Sequence, residues 1–327
     1  MPEQVLTAAP AMRLPVGWYA VLESTQLGHR PVGLRRFGLS VVAWRDELGA
    51  PVLQEDRCPH RSAKLSLGPL VDGAITCPFH GWKFGADGAC RYIPEIGRGA
   101  ARIRVSTFPT REAHGLVWVW WGPPEEASQA PLPWFENLAE GYVVRGFREV
   151  WPTHFTRAVE NQLDWAHLPY VHRTTIGRFV KPGAPCPEFV TTSQRIFWSA
   201  SQGDTWVEFR FPNVWQNRIS ATFTLSLCFV PVDAGHTELI LRTHARSAFA
   251  KMPLIGHLFM WLSGRLNRAI LAQDRAVVLS QAPLDALLAN DEVLVGSDDA
   301  IRWFRGQLDL RGWTPPRHAA SQKEGER

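Results

Sequence analysis

The chain has 327 residues, with 35 lysines and arginines against 31 aspartates and glutamates, and its formal net charge is +4. This length suffices for two domains, and the lack of any run of basic residues argues against a nucleic-acid-binding protein. No uncharged apolar stretch reaches the roughly 18 residues that a membrane span requires, so we expect no membrane span.

The cysteines and the N-terminus bear on the cellular compartment. Of five cysteines, three are scattered, which does not predict a disulfide framework and favours a reducing environment. The first residues lack the charged and then apolar pattern of a secretory signal. We therefore expect a cytoplasmic protein. The excess of positive charge lies in the part of the chain up to Gly122. It could steer an acidic electron donor toward this part, or it could simply belong to an ordinary solvated surface.

The N-terminal third of the chain shows the pattern of short β-strands. Residues 1–14 contain several Ala and Pro and predict an extended arm. Strand-like segments then follow at 18–22, 39–44 and 117–121, with turn-like residues at 46–49 and 86–88. Short strands without long helices predict a small antiparallel β domain over residues 15–122.

Two short cysteine–histidine motifs lie within this β domain. The first is Cys58-Pro59-His60 and the second is Cys77-Pro78-Phe79-His80, so each supplies one thiolate and one imidazole. Two Cys on one iron and two His on the other is the ligand set of a Rieske [2Fe–2S] centre. A structural zinc site would also accept two Cys and two His. The single residue between Cys58 and His60 favours iron–sulfur, because zinc ligand pairs usually lie two to four residues apart.

The residues after the first motif extend this interpretation. Arg61, Leu65, Ser66 and Gly68 follow Cys58 in the pattern C-P-H-R-x-x-x-L-S-x-G. In this pattern the segment resembles the Rieske domain of ring-hydroxylating and demethylating oxygenases.

The second domain is predicted to mix strands and helices. A Pro-rich, acidic linker spans 123–135, the domain spans 136–312, and a polar, loose tail spans 313–327. Alternating apolar residues predict strands near 207–211, 221–229 and 239–241, with the odd positions of 221–229 facing a core or cavity. Helical patterns cover about 156–168 and 263–282, and the apolar segment 252–262 predicts a buried helix or a pocket lid.

A second set of candidate metal ligands begins near the first predicted helix. Asn161, Asp164 and His167 are spaced three apart, so in a helix they share one face. His172 follows five residues later, and Pro169 predicts a turn at Leu168 that brings His172 back toward His167. Two histidines and one carboxylate would form the ligand triad of non-haem iron(II) oxygenases.

Asp274 is the best candidate for the third ligand. Its neighbours on the predicted helix are Ile270, Val277 and Val278, so its carboxylate lies on an apolar stripe. Burial of an unpaired carboxylate is costly, and either metal ligation or an ion pair with a core arginine would relieve that cost. Glu160 is the reserve candidate for the third ligand.

The order and spacing of both motifs strengthen the family resemblance. The pattern N-x-x-D-x-x-H-x-x-x-x-H at 161–172, followed by Gln273-Asp274, resembles the catalytic domain of Rieske non-haem iron oxygenases. The resemblance implies an α+β fold, with an N-terminal antiparallel β Rieske domain and a helix-grip, START-like catalytic domain. It also implies Fe(II) held by His167, His172 and Asp274.

The resemblance further implies how electrons reach that iron. Asp164 would carry them from His60 or His80 of a neighbouring subunit in a homotrimer, or would only orient His167. Asn161 would tune the iron site. An NAD(P)H-dependent reductase, directly or through a ferredoxin, would supply the electrons, because no G-x-G-x-x-G nucleotide motif opens a helix after a strand.

The expected function is that of the oxygenase component of a multicomponent Rieske system. It is similar to vanillate O-demethylase and dicamba monooxygenase, and it would use O₂ to hydroxylate or demethylate an apolar, aromatic or polycyclic substrate. Ring cis-dihydroxylation or desaturation by the same site is the alternative reaction. A Rieske electron carrier with an inert second domain is the alternative that is not an enzyme.

Overall fold

The computed structural model describes residues 11–138, 140–199, 205–246 and 252–313. Two compact units divide the chain, one up to Ala130 together with the residues from Gly312 onward, and one from Pro131 to Arg311. The change of unit at Ala130 falls inside the predicted linker. Most of the predicted arm 1–14 and tail 313–327 lies outside the described residues. Leu14 and Trp313, however, pair as strands rather than forming loose ends.

The first unit consists of small antiparallel sheets. Their strand orders are β10-β9-β8-β7-β6, β11-β5-β4-β3, β12-β13-β2 and β1-β21. The strands are β1 (Leu14–Pro15), β2 (Gly17–Glu23), β3 (Val32–Arg36), β4 (Leu39–Arg45), β5 (Pro51–Glu55), β6 (Leu70–Val71), β7 (Ala74–Thr76), β8 (Lys83–Phe84), β9 (Ala89–Ile93), β10 (Arg98–Arg104), β11 (Thr107–Phe108), β12 (Thr110–Ala113), β13 (Leu116–Trp121) and β21 (Gly312–Trp313). The β-rich character predicted for this region is therefore confirmed.

The second unit is built on one seven-stranded antiparallel sheet with the order β14-β20-β19-β18-β17-β16-β15. Its strands are β14 (Val143–Trp151), β15 (Val190–Thr191), β16 (Arg195–Ser199), β17 (Trp206–Arg210), β18 (Val214–Ser220), β19 (Phe223–Asp233) and β20 (His236–Ala245). Phe209 and Phe211 pack against Phe304, so both belong to the core of this unit.

The helices of the second unit carry the candidate metal ligands. They are α1 (Phe155–Leu163), α2 (Leu168–Val171), α3 (Pro253–Val278) and α4 (Asp299–Arg311). Single 3₁₀ turns occur in both units at Ser24–Gln26, Leu65–Leu67, Pro94–Ile96, Pro124–Glu126, Glu136–Leu138, Ile176–Phe179, Ala286–Leu288 and Gly296–Asp298. The α+β class and the antiparallel sheet flanked by helices are confirmed.

The strand β19 differs from its sequence-based prediction. Its even positions, Thr224, Ser226 and Cys228, are buried, whereas Phe223 and Leu225 are only half-buried. Leu227 and Phe229 at odd positions are buried as well, so both faces of β19 are covered along much of its length. Alternation in the sequence therefore does not identify an inner and an outer face here.

The segment 252–262 is neither wholly buried nor a separate lid. It forms the beginning of α3, and six of its large apolar side chains are among the exposed ones, Leu254, Ile255, Leu258, Phe259, Trp261 and Leu262. Met260 alone among its large apolar residues joins a buried cluster, with Ala245 of β20. No helix among the described residues is long and apolar enough to cross a membrane.

Candidate metal centres

Two loops of the first unit bring the four predicted cluster ligands together. The first follows β5 and carries Cys58 and His60, and the second joins β7 to β8 and carries Cys77 and His80. Both cysteines are buried, while His60 is exposed and His80 is half-buried. The rings of the two histidines lie 4.7 Å apart between centroids, so the imidazoles converge on one region at the surface of the unit.

The two loops have the same backbone design. The Cys58 N–H donates to the Ala63 carbonyl at 2.8 Å, and the Cys77 N–H donates to the Trp82 carbonyl at 2.8 Å. Four residues after each cysteine, Ser62 and Gly81 adopt left-handed φ angles of 62° and 71°. Each loop therefore needs a residue with a left-handed backbone conformation four positions after its cysteine. Gly adopts this conformation without strain, whereas Ser adopts it at a cost in free energy.

The environment of the thiols suits metal ligation. Burial and the adjacent Cys77 thiol raise the pKa of Cys58 to about 12, although the backbone N–H groups of His60 and Arg61 oppose the shift. An iron–sulfur cluster removes these protons, because a coordinating thiol is deprotonated outright. The same N–H groups would then donate to a charged sulfur. His60 is also stacked on Trp82 at 4.4 Å, which fixes the plane of its ring.

The second candidate centre lies around α2. His167 directly precedes this short helix and His172 directly follows it, so the two imidazoles stand at its two ends. The predicted helix to residue 168 is wrong, because α1 ends at Leu163 and Asp164 is extended. Asn161, Asp164 and His167 therefore do not share a helical face. Pro169 is the second residue of α2 and does not cause a turn at Leu168, since Pro is tolerated in the first helical turn.

Asp274 of α3 completes the group of ligand atoms. One ligand atom from each of His167, His172 and Asp274 lies within 4.8 Å of the other two. Asp274 Oδ1 is 2.9 Å from His172 Nε2 and 3.4 Å from His167 Nε2. Ligand atoms bound to a single ion at about 2.1 Å lie about 3 Å apart, so these distances suit one metal ion.

The hydrogen bonds around this group also fit a metal. Asp274 Oδ1 is buried and makes no hydrogen bond within the described residues, although both imidazoles are close to it. The His172 Nδ1–H donates to Gln273 Oε1 at 2.9 Å, which directs His172 Nε2 at Asp274 Oδ1. Such an outer hydrogen bond is the usual partner of a metal-binding histidine.

The charges in this pocket favour a cation. Burial lowers the pKa of His167, but the carboxylates of Asp164 and Asp274 outweigh it and raise the pKa to about 9. Burial would raise the pKa of Asp274, yet the two histidines hold it below its ordinary value. Three ligands on one side leave coordination positions open, which is the arrangement of the two-His-one-carboxylate iron site.

Three side chains at this centre support the ligands. Gln162 Nε2 donates to Asp274 Oδ2 at 3.5 Å, and Thr175 Oγ1 donates to Gln273 Oε1 at 2.9 Å. Sequence reasoning recognised Gln273 only as part of a family pattern and missed Gln162 and Thr175. Both contacts join residues about a hundred positions apart, so no local spacing could indicate them.

The remaining predicted residues have distinct surroundings. Asp164 Oδ1 accepts from the Ala166 N–H at 2.7 Å, and its Oδ2 lies 3.4 Å from His167 Nδ1. Asn161 Nδ2 is buried with no hydrogen-bond partner in the part of the chain that the structure describes. Glu160 instead forms ion pairs with Arg157 and Arg305, so the reserve candidate is not part of this centre.

Comparison with known proteins finds a Rieske domain in the first unit and a relative that matches most of the chain. The model of the Rieske [2Fe–2S] domain matches residues 17–109, which supports the iron–sulfur interpretation over the zinc interpretation. The chain is 30% identical to Protein TIC 55, chloroplastic, of Pisum sativum over 335 residues, covering 92% of the chain and 59% of that protein. It is 37% identical to 4beta-methylsterol monooxygenase of Methylococcus capsulatus over 170 residues, covering 48% of the chain and 44% of that protein.

The solved structures show the fold. A crystal structure of dicamba monooxygenase bound to dicamba has a TM-score of 0.74 at 22% identity, and the match covers 90% of this chain and 97% of that chain. The chain spans less than two thirds of the length of the two curated relatives above. The fold shared with dicamba monooxygenase extends over both units. The two curated relatives are longer and contain residues that the match with this chain does not cover.

Proposed function

We propose that this chain is the terminal oxygenase of a multicomponent system. The premise is that it belongs with the Rieske oxygenases by its [2Fe–2S] domain and its fold. The convergence of His167, His172 and Asp274 on one point carries the proposal. A Rieske electron carrier needs no second set of ligands. The proposal assigns Cys58, His60, Cys77 and His80 to the cluster.

The residues of the second centre have separate tasks in this proposal. His167, His172 and Asp274 would hold Fe(II), which supplies the activation of O₂ when it is bound. Gln273 keeps the His172 proton on Nδ1 so that Nε2 is available as a ligand. Gln162 holds the second oxygen of Asp274, which directs Oδ1 toward the imidazoles. Burial of His172 and Asp274 keeps bulk water away from this side of the site.

Electron delivery is assigned to Asp164. Its side chain is 26% exposed while one of its oxygens faces His167 Nδ1, so it links the surface of the unit to the metal ligand. In the first unit, exposed His60 places the cluster edge at a surface as well. We propose that the two surfaces meet between subunits of a homotrimer, and that a separate NAD(P)H-dependent reductase, directly or through a ferredoxin, reduces the cluster.

The proposed reaction is monooxygenation of an apolar substrate, aromatic or polycyclic, by hydroxylation or demethylation. One oxygen atom of O₂ enters the substrate, and the other leaves as water with two electrons and two protons. The names of 4beta-methylsterol monooxygenase and dicamba monooxygenase support this choice over dihydroxylation or desaturation. All five cysteines are free, which supports a cytoplasmic location, although the TIC 55 relative is named as chloroplastic.

A single-turnover experiment under ¹⁸O₂ tests the proposal. The chemically reduced protein is mixed with a panel of apolar compounds, and product masses are recorded. Monooxygenation predicts one ¹⁸O atom in the product, or the demethylated compound, and Asp274→Ala should yield none. Incorporation of two ¹⁸O atoms would identify a dioxygenase. Reoxidation of the cluster without product for every compound would contradict the oxygenase proposal and favour an electron carrier.

A further inference from the structure

The first half of α3 presents apolar side chains to solvent. We call this set the apolar face, and it consists of Leu254, Ile255, Leu258, Phe259, Trp261, Leu262 and Leu266. Leu254 is 86% exposed, and Trp261 and Leu258 are each 58% exposed. The buried stripe of the same helix is narrow, with Met260, Asn267, Leu271, Asp274 and Val278.

This face is uncovered within the part of the chain that the structure describes. A helix that is apolar on nearly all sides is normally buried, and contiguous exposed apolar patches mark interaction sites. The apolar half of α3 extends over about 20 Å at 1.5 Å per residue. The second half of α3 lacks this continuous character, because the exposed residues between the apolar face and the exposed Val277 are Arg268, Ala269, Ala272 and Ala276.

The sequence around the apolar face carries charge of one sign. No acidic residue occurs between Glu238 and Asp274, and the exposed basic residues that the structure describes in this interval are Arg246, Arg265 and Arg268. Arg265 and Arg268 are exposed on α3 itself. The Arg265 guanidinium lies over the ring of Trp261 at 5.1 Å, and that of Arg268 lies over the ring of Phe147 at 4.2 Å. The apolar face therefore has a basic border.

We propose that the apolar face and its basic border dock the protein on the surface of an anionic lipid bilayer. An amphipathic helix lying in the bilayer interface combines Trp, Phe and Leu on its buried face with Lys and Arg at the headgroups. A two-fold contact between two copies through this face fits less well, because it would bring two basic borders close together. The proposal concerns attachment at the surface, not a membrane span.

The docking helix is also the helix of the second metal centre. Asp274 lies in the same α3, about two and a half turns beyond the exposed Arg265. Docking would therefore hold this unit at the bilayer, with the N-terminal half of α3 in the bilayer–water interface. Apolar compounds concentrate in that region. The proposal does not depend on the oxygenase reaction, since attachment can be measured without turnover.

Vesicle co-sedimentation of the full chain tests this docking. The probes are vesicles of phosphatidylcholine alone and vesicles that also contain phosphatidylglycerol. The protein should sediment with the anionic vesicles, less so at high salt because screening weakens the attraction. The double variant Leu258→Ser/Trp261→Ser should lose about tenfold or more of its vesicle partition, since two large apolar side chains no longer enter the interface.

Matched variants separate the apolar and the basic contributions. Leu310→Ser and Val293→Ser remove apolar side chains that are 80% and 86% exposed elsewhere, and they should bind vesicles as the parent does. Arg265→Gln/Arg268→Gln should abolish the preference for phosphatidylglycerol, whereas Arg98→Gln/Arg102→Gln, two exposed arginines of β10, should retain it.

Two results would overturn the proposal. The first is sedimentation of the parent protein no greater with anionic vesicles than with neutral ones. The second is a Leu258→Ser/Trp261→Ser variant that binds vesicles like the parent. If that variant instead changes the oligomeric mass measured by light scattering while vesicle binding is absent in the parent, the apolar face is an interface between copies.

Discussion

At the scale of single residues, the two oxygens of Asp274 have different neighbours. Oδ2 accepts a hydrogen bond from Gln162, whereas Oδ1 is buried, lacks a hydrogen bond among the described residues and faces two imidazole nitrogens. A buried polar atom without a partner is costly, and such an atom is common where an ion is bound. A cation bound between Asp274 Oδ1 and the two imidazoles would satisfy this oxygen.

The partner of His172 provides the first prediction. Gln273→Leu removes the acceptor of the His172 Nδ1–H, so the ring loses its fixed orientation and the iron affinity should fall by about 10- to 100-fold. Anaerobic titration of the metal-free protein with Fe(II), followed by calorimetry, measures this affinity. Gln281→Leu, at an exposed glutamine just beyond the same helix, is the control. Equal affinities of the two variants would show that Gln273 does not support the ligand.

Asp164 provides the second prediction. Asp164→Asn keeps the shape of the side chain but removes its charge beside His167, and reoxidation of the reduced cluster in the presence of substrate should slow about 10- to 100-fold. Stopped-flow absorbance of the cluster gives the rate, and iron analysis verifies that both centres remain loaded. The exposed Asp309→Asn is the control. An unchanged rate in Asp164→Asn would remove this residue from the electron path.

Sequence patterns predicted the candidate ligands that the structure brings together, but not the side chains that contact them. Each cluster motif is local, and His167 and His172 lie five residues apart, so spacing alone indicates them. Asp274 was accessible because a carboxylate on an apolar helical stripe needs a counterpart. Gln162 could not be found in this way, because its contact with Asp274 depends on how α1 and α3 pack rather than on any period.

At the scale of elements, the end of α1 shows where periodicity misleads. The spacing of polar residues continues past Leu163, yet the backbone becomes extended at Asp164 and helix resumes only at Leu168. The two histidines converge because the single short turn of α2 separates them. A pattern of side chains does not record this break, since the residues on both sides of it suit a helix.

The ion pairs between α1 and α4 give a prediction at this scale. Glu160 Oε1 lies 2.6 Å from Arg305 Nε and Oε2 lies 3.3 Å from buried Arg157. Glu160→Gln removes a negative charge that balances the buried guanidinium of Arg157. It should lower the free energy of unfolding by about 3 kcal/mol, as expected when one partner of a buried pair is removed. Chemical denaturation measures this loss.

The control for Glu160 lies in the same network. Glu292 also pairs with Arg157 and Arg305 but is more exposed, so Glu292→Gln should cost less. Glu160→Gln should retain its mononuclear iron, because Glu160 is not among the ligand atoms that converge. Loss of that iron with unchanged stability would mean that Glu160 is a ligand and that the assignment of Asp274 is wrong.

The helix α3 was the element least well predicted. Its apolar run suggested burial, because a sequence reports hydrophobicity but not which side a neighbour occupies. The structure shows a helix with one narrow buried stripe and an exposed apolar face in its first half. Only the placement of β14 and β20 beneath the helix decides which residues are covered.

At the scale of the whole molecule, the class of fold was predictable and the topology was not. Short strands, turn residues and two helical patterns indicate an α+β chain. They do not indicate that β14 pairs with β20 along its full length, since almost a hundred residues separate the two strands. Nor do they indicate that Gly312–Trp313 returns to pair with Leu14–Pro15.

The stability of the molecule should depend on pH through His244. Burial, and to a lesser extent Arg242, lower the pKa of His244 to about 3. Between that value and the unfolded pKa of about 6.5, the unfolded chain binds a proton that the folded chain does not. Stability therefore falls with decreasing pH over this window, by at most about 1.4 kcal/mol per pH unit from this group.

Thermal or chemical unfolding at a series of pH values measures this dependence. His244→Gln should flatten the decline below about pH 6.5, whatever its effect on absolute stability. His29→Gln, at an exposed histidine, controls for the loss of a surface histidine and should leave the slope unchanged. A His244→Gln slope equal to that of the parent would show that folding does not lower the pKa of His244.

The presence of two iron centres on one chain is tested most directly by iron and acid-labile sulfide analysis of the purified protein and of Asp274→Ala. We expect about three irons and about two sulfides per chain in the parent. In Asp274→Ala we expect about two irons, with sulfide and cluster colour unchanged. A parent with only about two irons per chain, or an Asp274→Ala variant with undiminished iron, would contradict the account.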